Sequence, residues 1–235
     1  MKRLLKNFFK KATILIFRLK GKVSLKVGKN TMLYRCDLSN PYGYLNSIEI
    51  GNNSSLKNCR FNLFEGGNKI IIGDNVLIKG MTFWIEDSNN IIKIGDRTTS
   101  ENHVQVAACE GKKIEIGADC MLSHDIYFRT TDSHSIVDNN GKRINPADNI
   151  KIGNHVWIGM QCLIFKGVEI PDDCIIGARS IVTKHKFDKN SLILGINAKM
   201  IKQDINWIEK EYNVNNIKRQ KYMVLQSVIA GGNIV

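Results

Sequence analysis

Residues 152–187 read IGNHVW IGMQCL IFKGVE IPDDCI IGARSI VTKHKF, and an aliphatic residue opens every group of six: Ile152, Ile158, Ile164, Ile170, Ile176 and Val182. A strand alternates every second residue and a helix repeats at about 3.6, so neither produces that spacing. Short internal periodicity marks a solenoid, in which each repeat is one side of a coil and is buried only when neighbours stack on it. The aliphatic residue points inward. The small residues Val156, Cys162, Val168, Cys174 and Ser180 fit the corners, and Gly or a polar residue takes each turn.

Upstream the same phrase recurs at a longer interval, as VGKN at Val27, IGNN at Ile50, IGDN at Ile72, IGDR at Ile94 and IGAD at Ile116. Three six-residue sides make a triangular coil of 18, so intervals of 23, 22, 22 and 22 leave about four extra residues at one corner of each turn. The prism therefore tightens toward its C-terminal end. From Ile116 to Ile152 the interval widens to 36, and the surplus, RTTDSHSIVDNNGKRINPADN over 129–149, has no apolar period. It must leave the coil as a loop, and long excursions from a compact scaffold are usually functional.

The hexapeptide array, the loop containing DSH, the phrase IGNHVWIG some twenty residues later, and the ending IIGARSIVTK followed by GINAK together resemble the left-handed parallel β-helix acyltransferases. Within them the chain is most similar to bacterial O-acetyltransferases that modify galactosides, capsules and O-antigens. The resemblance covers roughly Val27 to Lys202. It implies an all-β fold, a left-handed parallel β-helix of hexapeptide repeats, with acetyl-CoA as acyl donor and a homotrimer as the working unit. The hand comes from the resemblance alone, because the usual preference for right-handed parallel crossovers points the other way.

Composition fits one domain of this kind, for 235 residues build a single core easily. Of the six cysteines, Cys120, Cys162 and Cys174 stand at small-residue corner positions, where a reduced thiol serves as a small hydrophobe. No Cys-x-x-Cys pair occurs, which argues against a zinc or redox site and makes the cytoplasm the natural compartment. The opening MKRLLKNFFKKATILIFRLKGK carries eight Lys or Arg and no acid, with Leu4, Leu5, Phe8, Phe9, Ala12, Leu15, Ile16 and Leu19 on a helical stripe. Its longest uncharged run is too short to span a membrane. A basic amphipathic helix over 1–24 is expected either to cap the open first coil or to lie peripherally on an anionic membrane surface. The β-helix is expected over 25–188, with the loop at about 129–149, and a C-terminal cap with helices over 189–235. A net charge of +12 suits anionic lipid or coenzyme A; no recognised nucleic-acid motif accompanies it.

His134 is the expected catalytic residue. Acylation of a sugar hydroxyl by a thioester needs a base, and imidazole, with an ordinary pKa of about 6.5, suits the task. In the family the catalytic histidine opens the extruded loop, in a segment like TDSHS here. His103 and His124 fall eight and seven residues after Gly95 and Gly117 and are expected to lie nearly above each other in successive coils, and Asn102 with His103 is expected to line the acceptor pocket. His155 and His185 are expected at the surface. The three-histidine zinc site of gamma-class carbonic anhydrases includes a His-x-x-x-x-His pair that this chain lacks, so no metal is expected.

By resemblance, Trp157 lies near the thioester and pantetheine arm, although an outward aromatic at a subunit interface would read the same. The arm would run beside Gly159, Met160 and Ala178, with Thr183, Lys184 and Lys202 near the adenosine phosphates. The family's Gly-x-Pro-Ala-Lys ending is Gly195, Ile196, Asn197, Ala198, Lys199 here, and losing the proline loosens the assumed path to Lys202. The implied activity is acetyl-CoA-dependent O-acetylation of a sugar hydroxyl on a surface polysaccharide or its precursor. An N-acyltransferase for an aminosugar nucleotide and a non-catalytic scaffold are the alternatives.

Overall fold

The computed structural model describes residues 22–208, and none of these is helical. The helices expected at the two ends lie outside the described residues, except that 23–24 and 189–208 belong instead to the prism, as the strands Val23–Val27, Leu192–Leu194 and Lys199–Lys202 and the turns beside them. Among the described residues, twenty-three strands form three walls of a triangular prism. The first wall has seven parallel strands, from Val23–Val27 to Glu169–Ile170. The third also has seven, from Asp37–Ser39 to Ile181–Val182. In the second wall, parallel strands from Met32–Tyr34 to Leu192–Leu194 are followed by Lys199–Lys202, which folds back antiparallel and finishes the prism. The chain visits the walls in turn, so coils rather than hairpins build the molecule. Among the described residues no helix is long and apolar enough to cross a membrane.

Register follows the hexapeptide phrase. In the first wall Ile50, Ile72, Ile94, Ile116, Ile152 and Ile170 pair in succession, and all are buried. The third wall stacks Leu38, Phe61, Phe83, Val106, Phe128, Ile164 and Val182 inward, with Phe61 and Phe83 face to face at 4.7 Å. Each such side chain contributes about 1.5–3 kcal/mol by leaving water, so the column outweighs any single contact on the surface. All five small residues from Val156 to Ser180 are fully buried at corners.

The equivalent corner residues of earlier coils also satisfy backbone groups. The side chains of Ser54, Thr98 and Cys120 donate to the carbonyls of Gly73, Gly117 and Gly153 in the following coil. The small-hydrophobe reading of the cysteines therefore omits a role, since the thiol donates to an otherwise costly buried acceptor. All six cysteines are free. At the same corner Asn30, Asn53, Asn75, Arg97, Asp119, His155, Asp173 and Asn190 repeat a φ of 53–60°, a left-handed turn that Asn and Asp tolerate. The preceding Gly117 is required for another reason: a Cβ there would sit 2.3 Å from the Gly153 carbonyl oxygen.

The extra residues of the long coils all fall where the third wall returns to the first, at 40–45, 64–68, 86–90 and 109–112. At this third corner Asn68 and Asn90 are buried, and each carboxamide oxygen accepts from a backbone N–H of the next coil. The loop extrudes from the same corner.

Candidate active site

The loop occupies 130–149, between the strands Tyr127–Arg129 and Ile150–Ile152. Its exit is anchored by Thr130, whose buried hydroxyl accepts from Cys109 N at 2.8 Å and donates to Cys109 O at 3.1 Å. Thr131 donates to Glu110, and Ser133 turns with φ 66° while accepting from the Arg129 guanidinium. Beyond His134 the chain makes a hairpin, with Val137 bridged to Arg143 and a turn capped by the Asp138 carboxylate. Three apolar side chains of that hairpin, Ile136, Val137 and Ile144, are 54–59% exposed.

Asn145 organises the loop. Its carboxamide nitrogen donates to Asp132 Oδ2 and to the His134 carbonyl, both at 2.8 Å, and its oxygen accepts from Ile136 N at 2.6 Å. Lys166 reaches in from the next coil to Asp132 and to the Asn145 carbonyl. Arg143 forms a two-pronged pair with Glu110 at 2.7 and 2.8 Å, joining the loop to the coil below it. That guanidinium, helped by Thr131, lowers the Glu110 carboxyl to about 2. Asp132 is likewise lowered, first by Lys166 and then by Asn145. The result is a fixed main chain on both sides of His134. The residue is exposed, and its imidazole has no hydrogen-bond partner among the described residues.

The second corner carries most of the other expected residues on one ridge. Asn102, His124, Met160 and Ala178 occupy successive coils there, linked by Asp125 N to Asn102 O, Gln161 N to His124 O and Arg179 N to Met160 O. His103 and His124 both place Nδ1 on Asp125, at 3.1 and 2.7 Å, and the pair lowers that carboxyl, His124 more than His103. Gly159 lies flush beneath this edge, since a Cβ there would be 2.6 Å from Ala178 N. Thr183 and Lys184 follow the last strand of the third wall, and the Lys184 ammonium is 3.0 Å from Asp148 in the loop. Lys202, exposed, ends the antiparallel strand of the second wall.

No family model matches the chain. It is 36% identical over 172 residues to the polysialic acid O-acetyltransferase of Neisseria meningitidis, covering 73% of this chain and 79% of that protein. Similarity to the galactoside O-acetyltransferase of Escherichia coli K12 is 33% over 107 residues, 45% of this chain and 51% of that one. The solved polysialic acid O-acetyltransferase OatWY superposes with a TM-score of 0.65 at 31% identity, covering 83% of this chain and 94% of that one. The chain belongs to the left-handed β-helix O-acetyltransferases.

Within this O-acetyltransferase, one chain does not bring His134 and Trp157 together. Trp157 lies in the second wall, paired between Met121 and Ile175, whereas His134 projects from the third corner. Trp157 Nε1 is shielded from solvent and has no hydrogen-bond partner among the described residues. His155 departs from its expected surface position: it is half-buried, stacked on Trp207 at 4.3 Å and held by Asp173 at 2.8 Å. Trp207 escaped sequence reading, as did Asn145, Arg143, Glu110 and Lys166, because the hexapeptide rule says nothing of residues outside the period. For Asn145, Arg143, Glu110 and Lys166 the only signal was chemical, namely residues able to bond several partners in or beside an aperiodic loop; Trp207 had none. Among the described residues no group of three or more His, Cys, Asp or Glu is positioned to hold a metal ion.

Proposed function

We propose that this O-acetyltransferase uses acetyl-CoA to acetylate a sugar hydroxyl of a surface polysaccharide or its precursor, with His134 as general base. One observation carries the reading. His134 has its main chain pinned by Asn145 at the start of the loop, and its exposed ring, unengaged among the described residues, is open to a substrate hydroxyl. The hydroxyl oxygen bonds to the thioester carbon, the carbon–sulfur bond breaks, and the hydroxyl proton passes to imidazole and then to the departing thiolate. Similarity to polysialic acid O-acetyltransferases supports an anionic, sialic-acid-like acceptor. The net charge of +12 is complementary to it.

The donor would lie along Trp157, Gly159, Met160 and Ala178, with Thr183, Lys184 and Lys202 toward its phosphates and Asn102 with His103 toward the acceptor. The flush edge at Gly159 fits close passage of an extended arm along the backbone. Separation of His134 from Trp157 within one chain supports a homotrimer, in which the loop of one subunit faces the ridge of the next. The exposed hairpin residues Ile136, Val137 and Ile144 supply apolar surface for that contact. The basic N-terminal segment would hold the enzyme at the cytoplasmic face of an anionic membrane.

His134→Ala tests the assignment. Loss of a general base costs about 100- to 10,000-fold in turnover, with the fold and coenzyme A affinity retained. Turnover within about threefold of wild type would overturn it, since that is far below the effect of removing a base. Light scattering of the purified protein is expected to report a trimer, and a catalytically active monomer would remove the inter-subunit site.

A further inference from the structure

Trp207 is far outside the hexapeptide array, yet it returns to the wall that carries Trp157. After the antiparallel strand Lys199–Lys202, Ile205 N bonds to Asn190 O at 3.1 Å, and Asn206 Oδ1 accepts from Trp207 N at 2.7 Å. That turn carries the indole back over the first corner. There its Nε1–H donates to the His155 carbonyl at 2.9 Å, its ring lies parallel to the His155 imidazole at 4.3 Å and 11°, and only 8% of the residue is exposed. His155 is itself fixed, by a left-handed φ of 53° and by Asp173 in the next coil. Because His155 is two residues before Trp157, Trp207 restrains the turn that leads into Trp157. It also touches Trp157 directly, with ring centroids 6.0 Å apart and planes tilted by 50°.

We infer that Trp207 is a positioning residue for the acyl donor, stacking on His155 and Trp157 so that the Trp157 indole is held in one orientation at the donor groove. The inference rests on the proposed reading that Trp157 contacts the donor. Three features favour positioning over simple covering of a chain end. The contact is made by a specific hydrogen bond and a parallel stack rather than by loose apolar cover. It falls on the turn that aims Trp157, not on the interior column of aliphatic residues. Finally, it contacts the Trp157 ring itself, at a tilt of 50°, so the restraint acts on the indole as well as on the turn before it.

The test uses the full-length protein with Trp157→Ala, Trp207→Ala and Trp207→Phe, each assayed for turnover with donor and acceptor varied separately. Misplacing a binding group without removing the base should raise KM for acetyl-CoA by roughly tenfold in Trp207→Ala, with kcat and acceptor KM within about twofold. Trp207→Phe keeps the aromatic face and loses the N–H donor, and should fall between wild type and Trp207→Ala. The near-ultraviolet circular dichroism of the coupled indoles should be lost equally on replacing either tryptophan. Unchanged donor KM in Trp207→Ala, alongside a raised value in Trp157→Ala, would overturn the inference and leave the donor site standing. Unchanged donor KM in both would remove the donor assignment of Trp157 and the inference with it. If both Trp207 variants lost stability and changed kcat and both KM values together, the role would be structural only, which also overturns it.

Discussion

The coils and the loop that leaves them are stabilised in opposite ways. In the coils the decisive groups are aliphatic and aromatic columns with no polar atoms, such as Phe61, Phe83 and Phe128. In the loop they are Asn145, Arg143 and Asp132, with Glu110 and Lys166 reaching in from the neighbouring coils, each bonded to named partners. Burial is non-directional and tolerates exchange of similar shapes, so a column stabilises the whole prism without specifying any one atom's position. Hydrogen-bonded pairs add little net stability each but fix geometry closely. The enzyme thus has a scaffold whose mutations should unfold it and a loop whose mutations should disarm it.

A paired substitution is the strongest test of that division. Phe83→Ala removes a fully buried ring from the stacked column and should cost about 3–5 kcal/mol, read as a lower midpoint in chemical denaturation. Asn145→Ala should lower kcat by roughly 10- to 100-fold through loss of the His134 carbonyl bond, with a stability change of about 1 kcal/mol. If Asn145→Ala proved as destabilising as Phe83→Ala, the loop would be part of the scaffold and the contrast would fail.

A smaller effect should separate the two regions by pH. The Arg143 guanidinium holds the Glu110 carboxyl at about 2, against an ordinary value near 4.5. A carboxylate lowered on folding contributes stability that is present above its unfolded pKa and is lost as pH falls through the folded one. Wild type should therefore melt higher than Glu110→Gln at pH 6, and the two should converge between about pH 4.5 and pH 2. An offset that did not change across this window would mean that the pair contributes through shape rather than charge.

How much of this was legible follows from the same contrast. Periodicity is a statement about burial, so the inward residues from Ile152 to Val182, the corner cysteines and the exit point of the loop could all be read from spacing. The third-corner excess was visible as intervals of 22, because each coil adds its surplus in the same place. Tertiary pairings of polar groups leave no such record. Nothing in the sequence joins Arg143 to Glu110 across 33 positions, or Trp207 to His155 across 52. Offsets of eight and seven residues after Gly95 and Gly117 suggested that His103 and His124 nearly stack, but the register differs by one, with Asn102 level with His124 and His103 level with Asp125; the Asp125 carboxylate that joins the two rings was not legible.

The smallest effect concerns Lys184, where scaffold, loop and proposed donor site meet. Resemblance assigns it to the donor phosphates, while the structure pairs its ammonium with Asp148 at the base of the loop, the lysine side chain being 74% exposed. An exposed pair of this kind contributes about 0.2–1 kcal/mol, so neither Lys184→Ala nor Asp148→Asn should shift the melting temperature appreciably. Kinetics can still separate the roles. If Asp148 merely restrains a lysine that serves the donor, Asp148→Asn should lower KM for acetyl-CoA by about twofold and Lys184→Ala should raise it, opposite signs from two halves of one ion pair. That is the outcome expected here, because phosphate carries more charge than one carboxylate and should win the lysine when bound. Should both variants instead lower kcat together and leave donor KM unchanged, Lys184 would belong with Lys166 among the residues that hold the loop.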